Sequence, residues 1–256
     1  MRALCCFLLV GAILPVGAAA IAADEQNGFS ESFEKPNADR WFMSDGWANG
    51  DYQSCEYRAD AIHISDGSMR LTLSDRGGHV RPIGCPEIRT NARLGYGIFA
   101  ARLRTAAGSG LNTAFFTYIG PPNGVPIWDE IDFEFLGKDP RSVSISYRVN
   151  GQVHGPGNVR LGFDTSTAFH DYTIEWTPER ICWFADGKMI ARSREGDKIP
   201  NTPGRLFFSL WSGSSLEDNW MGRFTYKEPV TAEVKAASFR PTTGRSCPDP
   251  NGSDSK

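Results

Sequence analysis

From Glu130 to Phe135 the chain alternates strictly between an acid and a large apolar residue: Glu-Ile-Asp-Phe-Glu-Phe, preceded by Trp128-Asp129 and followed by Leu136-Gly137. A period of two is that of a β-strand, in which side chains two apart share a face. Ile131, Phe133 and Phe135 therefore face a core. Glu130, Asp132 and Glu134 point the other way together, and Trp128 has their parity. Three acids on one face repel one another, and strand propensity disfavours them. No Lys or Arg interrupts the run to neutralise them. A solvated face tolerates one or two such acids; three beside a tryptophan point to chemistry.

The chemistry that uses such a set is glycoside hydrolysis, which needs two carboxyl groups flanking the scissile bond. The Cα atoms of residues 130 and 134 are expected about 13 Å apart at strand rise. Inward-leaning Glu side chains can close that to the ~5–5.5 Å of a retaining pair, and the ~6.5–9.5 Å of an inverting pair is also open. Asp132 lies between them. Its charge is expected to hold one Glu protonated while the other stays ionised.

The rest of the chain reads as all-β. Short alternating runs recur at 69–73, 96–103, 143–149, 172–176, 181–184 and 205–210, and Asn150-Gly151 and Asp186-Gly187 are hairpin signals. No segment keeps a helical period beyond a turn or two. Many short strands with regular turns imply a sandwich or barrel, and 256 residues suffice for one such domain. The net charge of -3 carries no basic footprint of a nucleic-acid binder. Of the seven tryptophans most are expected in the core, although flat rings also suit a sugar cleft.

At the N-terminus, Arg2, the apolar run from Leu4 to Val16 and the Ala-rich stretch to Ala23 predict a signal peptide over residues 1–22. The run is short for a bilayer span of about 20 residues. Residues 23–242 form the expected domain, its strand pattern running from about Gly28 to about Pro241. Residues 243–256 are polar, rich in Pro, Gly and Ser, and read as a loose tail. Of six cysteines, Cys5 and Cys6 leave with the signal, so four remain: Cys55, Cys85, Cys182 and Cys247. In an exported chain these suggest disulfides, with three connectivities open. No C-x-x-C pair or His cluster among them supports zinc, and no cofactor or metal is expected.

The run from Asp129 to Gly137 resembles the signature of glycoside hydrolase family 16, as in bacterial lichenases and plant xyloglucan endotransglycosylases. Segments 115–121 (Phe-Phe-Thr-Tyr-Ile-Gly-Pro), 161–164, 183–187 and 200–204 resemble lichenase segments in the same order. The likeness spans about Phe29 to Phe239. It is similar in particular to bacterial glycanases that trim exopolysaccharides during secretion. The resemblance implies a concanavalin A-like β-jelly-roll and retaining endo-hydrolysis of a β-glucan. It implies Glu130 as nucleophile, Asp132 as its helper and Glu134 as acid/base. It further implies sugar contacts from Asn49, Glu87, Arg89, Tyr118, Trp128, Trp211 and Trp220, and a Cys55–Cys85 disulfide. Cys182 and Cys247 would then form a second bridge tying down the tail.

Three departures from that family pattern matter. Where lichenases place an Asn and a Tyr on the strand after the catalytic one, this chain has Ser146 and Arg148. A pair of Asn around the cleft tryptophan becomes Ser209 and Ser212. The structural calcium ligand of lichenases is replaced by Lys235, whose ammonium cannot ligate calcium. Arg148 favours a carboxylate partner, which brings acidic exopolysaccharides into view beside plain β-glucan. The expected protein is a secreted or periplasmic, monomeric glycan hydrolase with no nucleic-acid or membrane partner. A transglycosylase and a non-catalytic glycan binder are the alternatives, because fold alone does not fix function.

Overall fold

The computed structural model describes residues 27–121, 125–242 and Cys247. The predicted signal peptide and, apart from Cys247, the predicted tail lie outside the described residues. Among the described residues no helix is long and apolar enough to cross a membrane.

Two antiparallel sheets face each other, as a jelly-roll sandwich requires. One sheet runs β15 (Lys188–Arg192), β14 (Ile181–Ala185), β13 (His170–Trp176), β8 (Gly97–Arg104), β17 (Val230–Pro241), β5 (Ser68–Leu73) and β4 (Ile62–Ser65), with β1 (Phe29–Glu31) also on β17. The other runs β12 (Gln152–Arg160), β11 (Ser142–Val149), β10 (Asp129–Leu136), β9 (Leu111–Ile119), β16 (Arg205–Ser212), β7 (Glu87–Thr90) and β2 (Trp41–Met43). A small parallel pair, β3 (Cys55–Tyr57) with β6 (Ile83–Cys85), is spanned by the Cys55–Cys85 disulfide. The predicted hairpin dipeptides adopt left-handed backbone, with φ of 50° and 80° at Asn150-Gly151 and 48° and 74° at Asp186-Gly187. This is the geometry that lets a two-residue turn follow the strand twist. The one α-helix among the described residues is a single turn, α1 (Asp218–Met221).

The core is a chain of aromatic rings that crosses from sheet to sheet. Phe208 stacks on Phe115 at 5.3 Å, Phe115 on Phe133 at 6.0 Å, Phe133 on Phe135 at 5.8 Å, and Phe135 meets the edge of Tyr172 at 4.7 Å. The expected core face of β10 is thus held by three residues, Ile131, Phe133 and Phe135, all at most 1% exposed. Trp183, on the opposite sheet, reaches across and donates Nε1–H to the backbone carbonyl of Asp132 at 3.1 Å. Cys182 points away from this core and is bonded to Cys247. Lys235 lies on the other side of the molecule from the acids' sheet, its Nζ 4.7 Å from the Phe169 ring centroid.

Candidate active site

The cleft opens on the face of the β10 sheet that is turned away from the core. Its volume is about 1220 Å³, and Glu130, Asp132 and Glu134 all line it. Parity in β10 puts them there, and the flanking strands supply what surrounds them. Glu130 pairs in register with Tyr118 on β9 and Arg148 on β11, Asp132 with Phe116 and Ser146, and Glu134 with Ala114 and Ser144.

Each acid has different partners. Glu130 accepts from Trp128 Nε1 at 2.8 Å and from Arg148 Nε at 3.1 Å, both on the same oxygen, Oε2. The Arg148 guanidinium also lies 4.7 Å over the Trp128 ring. Asp132 accepts from Ser146 Oγ at 2.8 Å. Glu134 accepts from Asn112 Nδ2 at 3.0 Å. Arg148 is therefore half-buried and paired with a carboxylate inside the protein.

Burial raises all three carboxyls, because a charge is costly away from water. Glu130 is raised by burial and held back by the Trp128 hydrogen bond, the Arg148 charge and a hydrogen bond with Asp132. Glu134 is pushed up to about 7 by burial and then by the charge of Glu130. Asp132 is raised well above the ordinary carboxylate range by burial and by the charges of both glutamates. The expectation that the charge of Asp132 keeps a glutamate protonated is corrected: Asp132, 4% exposed between two acids, is itself raised well above the ordinary range by burial and by their charges. The charge acting on Glu134 is that of Glu130. When it carries a proton, Asp132 can donate a hydrogen bond to Glu130, which an ionised Asp132 cannot.

The eight residues expected to contact sugar all line this one cleft: Asn49, Glu87, Arg89, Tyr118, Trp128, Arg148, Trp211 and Trp220. Glu87 is buried, accepts from Ser44 Oγ at 2.6 Å, and is pushed up to about 7 by burial. Asn49 donates to Tyr57 Oη at 2.8 Å. Arg89 stacks over Phe42 at 4.2 Å. Tyr118, raised to about 12 by burial and the Glu130 charge, remains a hydrogen-bond donor at neutral pH. Trp211 sits between Tyr52 and Trp220.

Trp41, Trp176 and Trp183 are buried in the core and Trp47 and Trp211 pack against it, so most of the seven tryptophans serve the core as expected; Trp47, Trp128, Trp211 and Trp220 also line the cleft. Three of those four, Trp47, Trp128 and Trp220, lie outside the strands, and of these only Trp128, next to β10, keeps a strand's alternation. Of the two serines expected near the cleft tryptophan, Ser209 lines the wall, whereas Ser212 is fully buried and hydrogen-bonded to Ser54. The residues of β16 alternate, so 209 and 212 cannot share a face.

Sequence reasoning also missed Asn112, Tyr52 and Glu217. Asn112 had a readable signal: it is a polar residue with the parity of Ala114, Phe116 and Tyr118 on the strand beside the acids. Tyr52 comes from a turn and Glu217 from a short 3-10 helix at 215–217, where strand periodicity gives no signal.

Known proteins share this fold. Residues 49–228 match the family described as Glycosyl hydrolases family 16. The chain is 38% identical to the endo-1,3-1,4-beta-glycanase ExoK of Rhizobium meliloti (strain 1021), over 82% of this chain and 78% of that one. It is 36% identical to the beta-glucanase of Bacillus subtilis (strain 168), over 88% and 92%. A solved beta-1,3-1,4-glucanase (lichenase) from a mouse hindgut metagenome superposes with a TM-score of 0.80 at 35% identity, covering 84% of this chain and all of that one. A sandwich of two antiparallel sheets, a carboxylate-bearing central strand and a family match over most of its length lead to one conclusion: this chain is a glycoside hydrolase and belongs to glycosyl hydrolase family 16.

Proposed function

We propose that this protein cleaves a β-1,3-1,4-linked glucan, or a related bacterial exopolysaccharide, within the chain and with retention of configuration. The observation that carries the reading is the unequal setting of the two glutamates. Glu130 is held by a cation and an indole N–H through Oε2, which favours its ionised form and leaves Oε1 for attack. Glu134 has a neutral amide as partner and a carboxyl pushed up to about 7, suited to give and take a proton near neutrality. In the first step Glu130 Oε1 bonds to the anomeric carbon, the glycosidic C–O bond breaks, and Glu134 gives its proton to the leaving oxygen. In the second step ionised Glu134 takes a proton from water, the water oxygen attacks the same carbon, and Glu130 departs. Asp132 donates a hydrogen bond to Glu130, and the eight residues above hold the glycan.

The names carried by the relatives, endo-1,3-1,4-beta-glycanase and beta-glucanase, support the substrate class. Arg148 favours a second reading of it. Its Nε contacts Glu130, while its side chain keeps 29% of its surface in the cleft. An acid substituent on the polymer would suit the guanidinium fork. Export by residues 1–22 and action as a monomer complete the proposal.

The test is to replace each glutamate. Glu130→Gln and Glu134→Gln should each lose about a hundredfold or more in turnover with the fold intact. Azide should rescue the Ala variants with opposite stereochemistry: inverted product at 130, retained at 134. Near wild-type turnover in either Gln variant defeats the assignment. Digestion of neutral β-glucans alongside acid-substituted exopolysaccharides, with products sized, decides between the two substrate readings.

A further inference from the structure

We propose that Asn112 is a positioning residue for the hydrolysis, occupying Oε1 of Glu134 so that Oε2 carries the proton toward the glycosidic oxygen. This rests on the assignment of Glu134 as acid/base.

Asn112 is fully buried on β9, in register with Leu136 on one side and Trp211 on the other. Its parity places it on the cleft face of the sheet, directly past Ala114, the register partner of Glu134. Its Nδ2 lies 3.0 Å from Glu134 Oε1, while its own Oδ1 is buried without a hydrogen-bond partner among the described residues. A buried carbonyl left unpaired is destabilising, and an apolar residue would fill a strand position at no such cost. The amide is therefore explained by its one bond, the bond to Glu134. A side-chain amide suits this task because its N–H donates to the carboxyl whether or not Glu134 is protonated. When Glu134 carries its proton, Oε1 is occupied and the hydroxyl falls to Oε2. When Glu134 is ionised, the same bond fixes the carboxylate for its return step.

The other groups around Glu134 cannot do this. Glu130 and Glu217 are acids whose charges raise it, Arg148 acts on it only through its charge, and Asp132 on its own strand is bonded to Ser146 instead. Ala114 and Ser144, its register partners, are an alanine and a serine with no bond to it. Asn112 is the neutral donor that lowers it.

The experiment measures Asn112→Leu and, as a smaller replacement, Asn112→Val on the polymer and on a dinitrophenyl β-glycoside of the same oligosaccharide. On the polymer, kcat should fall about tenfold with KM within about twofold. The basic limb of the kcat/KM profile should move up by about one pH unit, because a donor that favoured the carboxylate is gone. On the dinitrophenyl glycoside kcat/KM should change less than about twofold, since that leaving group departs without a proton. Activities are read per folded molecule, so a loss of stability in one variant does not hide the result. An unmoved basic limb, or an equal deficit on both substrates, overturns the proposal. If Glu134→Gln itself remains active, the acid/base assignment fails instead, and the two failures are distinct.

Discussion

Arg148 lies directly opposite Glu130 across the β10–β11 pair, with its Nε 3.1 Å from Oε2. A cation there favours the ionised carboxylate, against the burial that raises Glu130. The proposed mechanism needs Glu130 ionised and Glu134 protonated, so the profile should have an acidic limb set by the first and a basic limb near pH 7 set by the second. In Arg148→Gln the Glu130 carboxyl rises further, and the acidic limb should move up toward the basic one. The bell narrows and its maximum falls. A kcat/KM profile over pH 4 to 9 (roughly the span of these limbs) checks this; an unmoved acidic limb would mean that Arg148 serves the glycan alone.

Trp128 does two things through one side chain. Its indole N–H holds Glu130 at 2.8 Å, and its ring, 38% exposed, faces the cleft. Trp128→Phe keeps a ring and removes the donor, so kcat should fall by about tenfold with KM little changed. Trp128→Ala removes both, and KM should rise as well. Steady-state kinetics separate the two losses; a misfolded Ala variant with normal activity per folded molecule would make the ring a packing element.

Asp129 belongs to the same signature but faces the other way. Its carboxylate accepts from the backbone N–H of Asn150 at 3.0 Å, Asn201 at 3.2 Å and Thr202 at 3.3 Å. It thereby joins the β11–β12 turn and the loop before β16 to the start of β10. Asp129→Ala leaves those donors unpaired and should lower stability by about 2–3 kcal/mol. Urea unfolding measures this. Turnover per folded molecule should stay within a few-fold, and a loss as deep as that of Glu130→Gln would give Asp129 a part in the chemistry.

The Cys182–Cys247 bond closes a loop of 65 residues. Loop entropy puts its stabilisation at about 4 kcal/mol, and measured values commonly fall below such figures. A non-reduced digest should yield the two cysteines as one linked peptide pair, and Cys247→Ser should lower the urea midpoint. Alkylation of either cysteine in the native protein would contradict the bond.

What was readable in the sequence followed the strands. Alternation alone put Ile131, Phe133 and Phe135 inside and three acids outside, and the Asn-Gly and Asp-Gly turns marked two hairpins. The resemblance then brought in residues scattered from Asn49 to Trp220 that no periodicity links. What stayed hidden was relational. Asp132 is raised by its neighbours in space, and Arg148 found its carboxylate across a strand pair that register creates. Trp47 faces the cleft from a connecting segment and Trp220 from the helical turn α1, where strand alternation says nothing. Ser212 was misplaced by one strand face.

Phe133 stacks between Phe115 and Phe135 while its neighbours on either side in the chain, Asp132 and Glu134, face the cleft. The same few peptide units are thus both keel and cutting edge. Shifting Phe133 by a fraction of an ångström tilts the backbone that aims the acids, with Trp183 holding that backbone from the far sheet. Repacked variants of this aromatic file should therefore lose turnover out of proportion to any loss of melting temperature. The rim of the groove can therefore be altered without moving the spine beneath it.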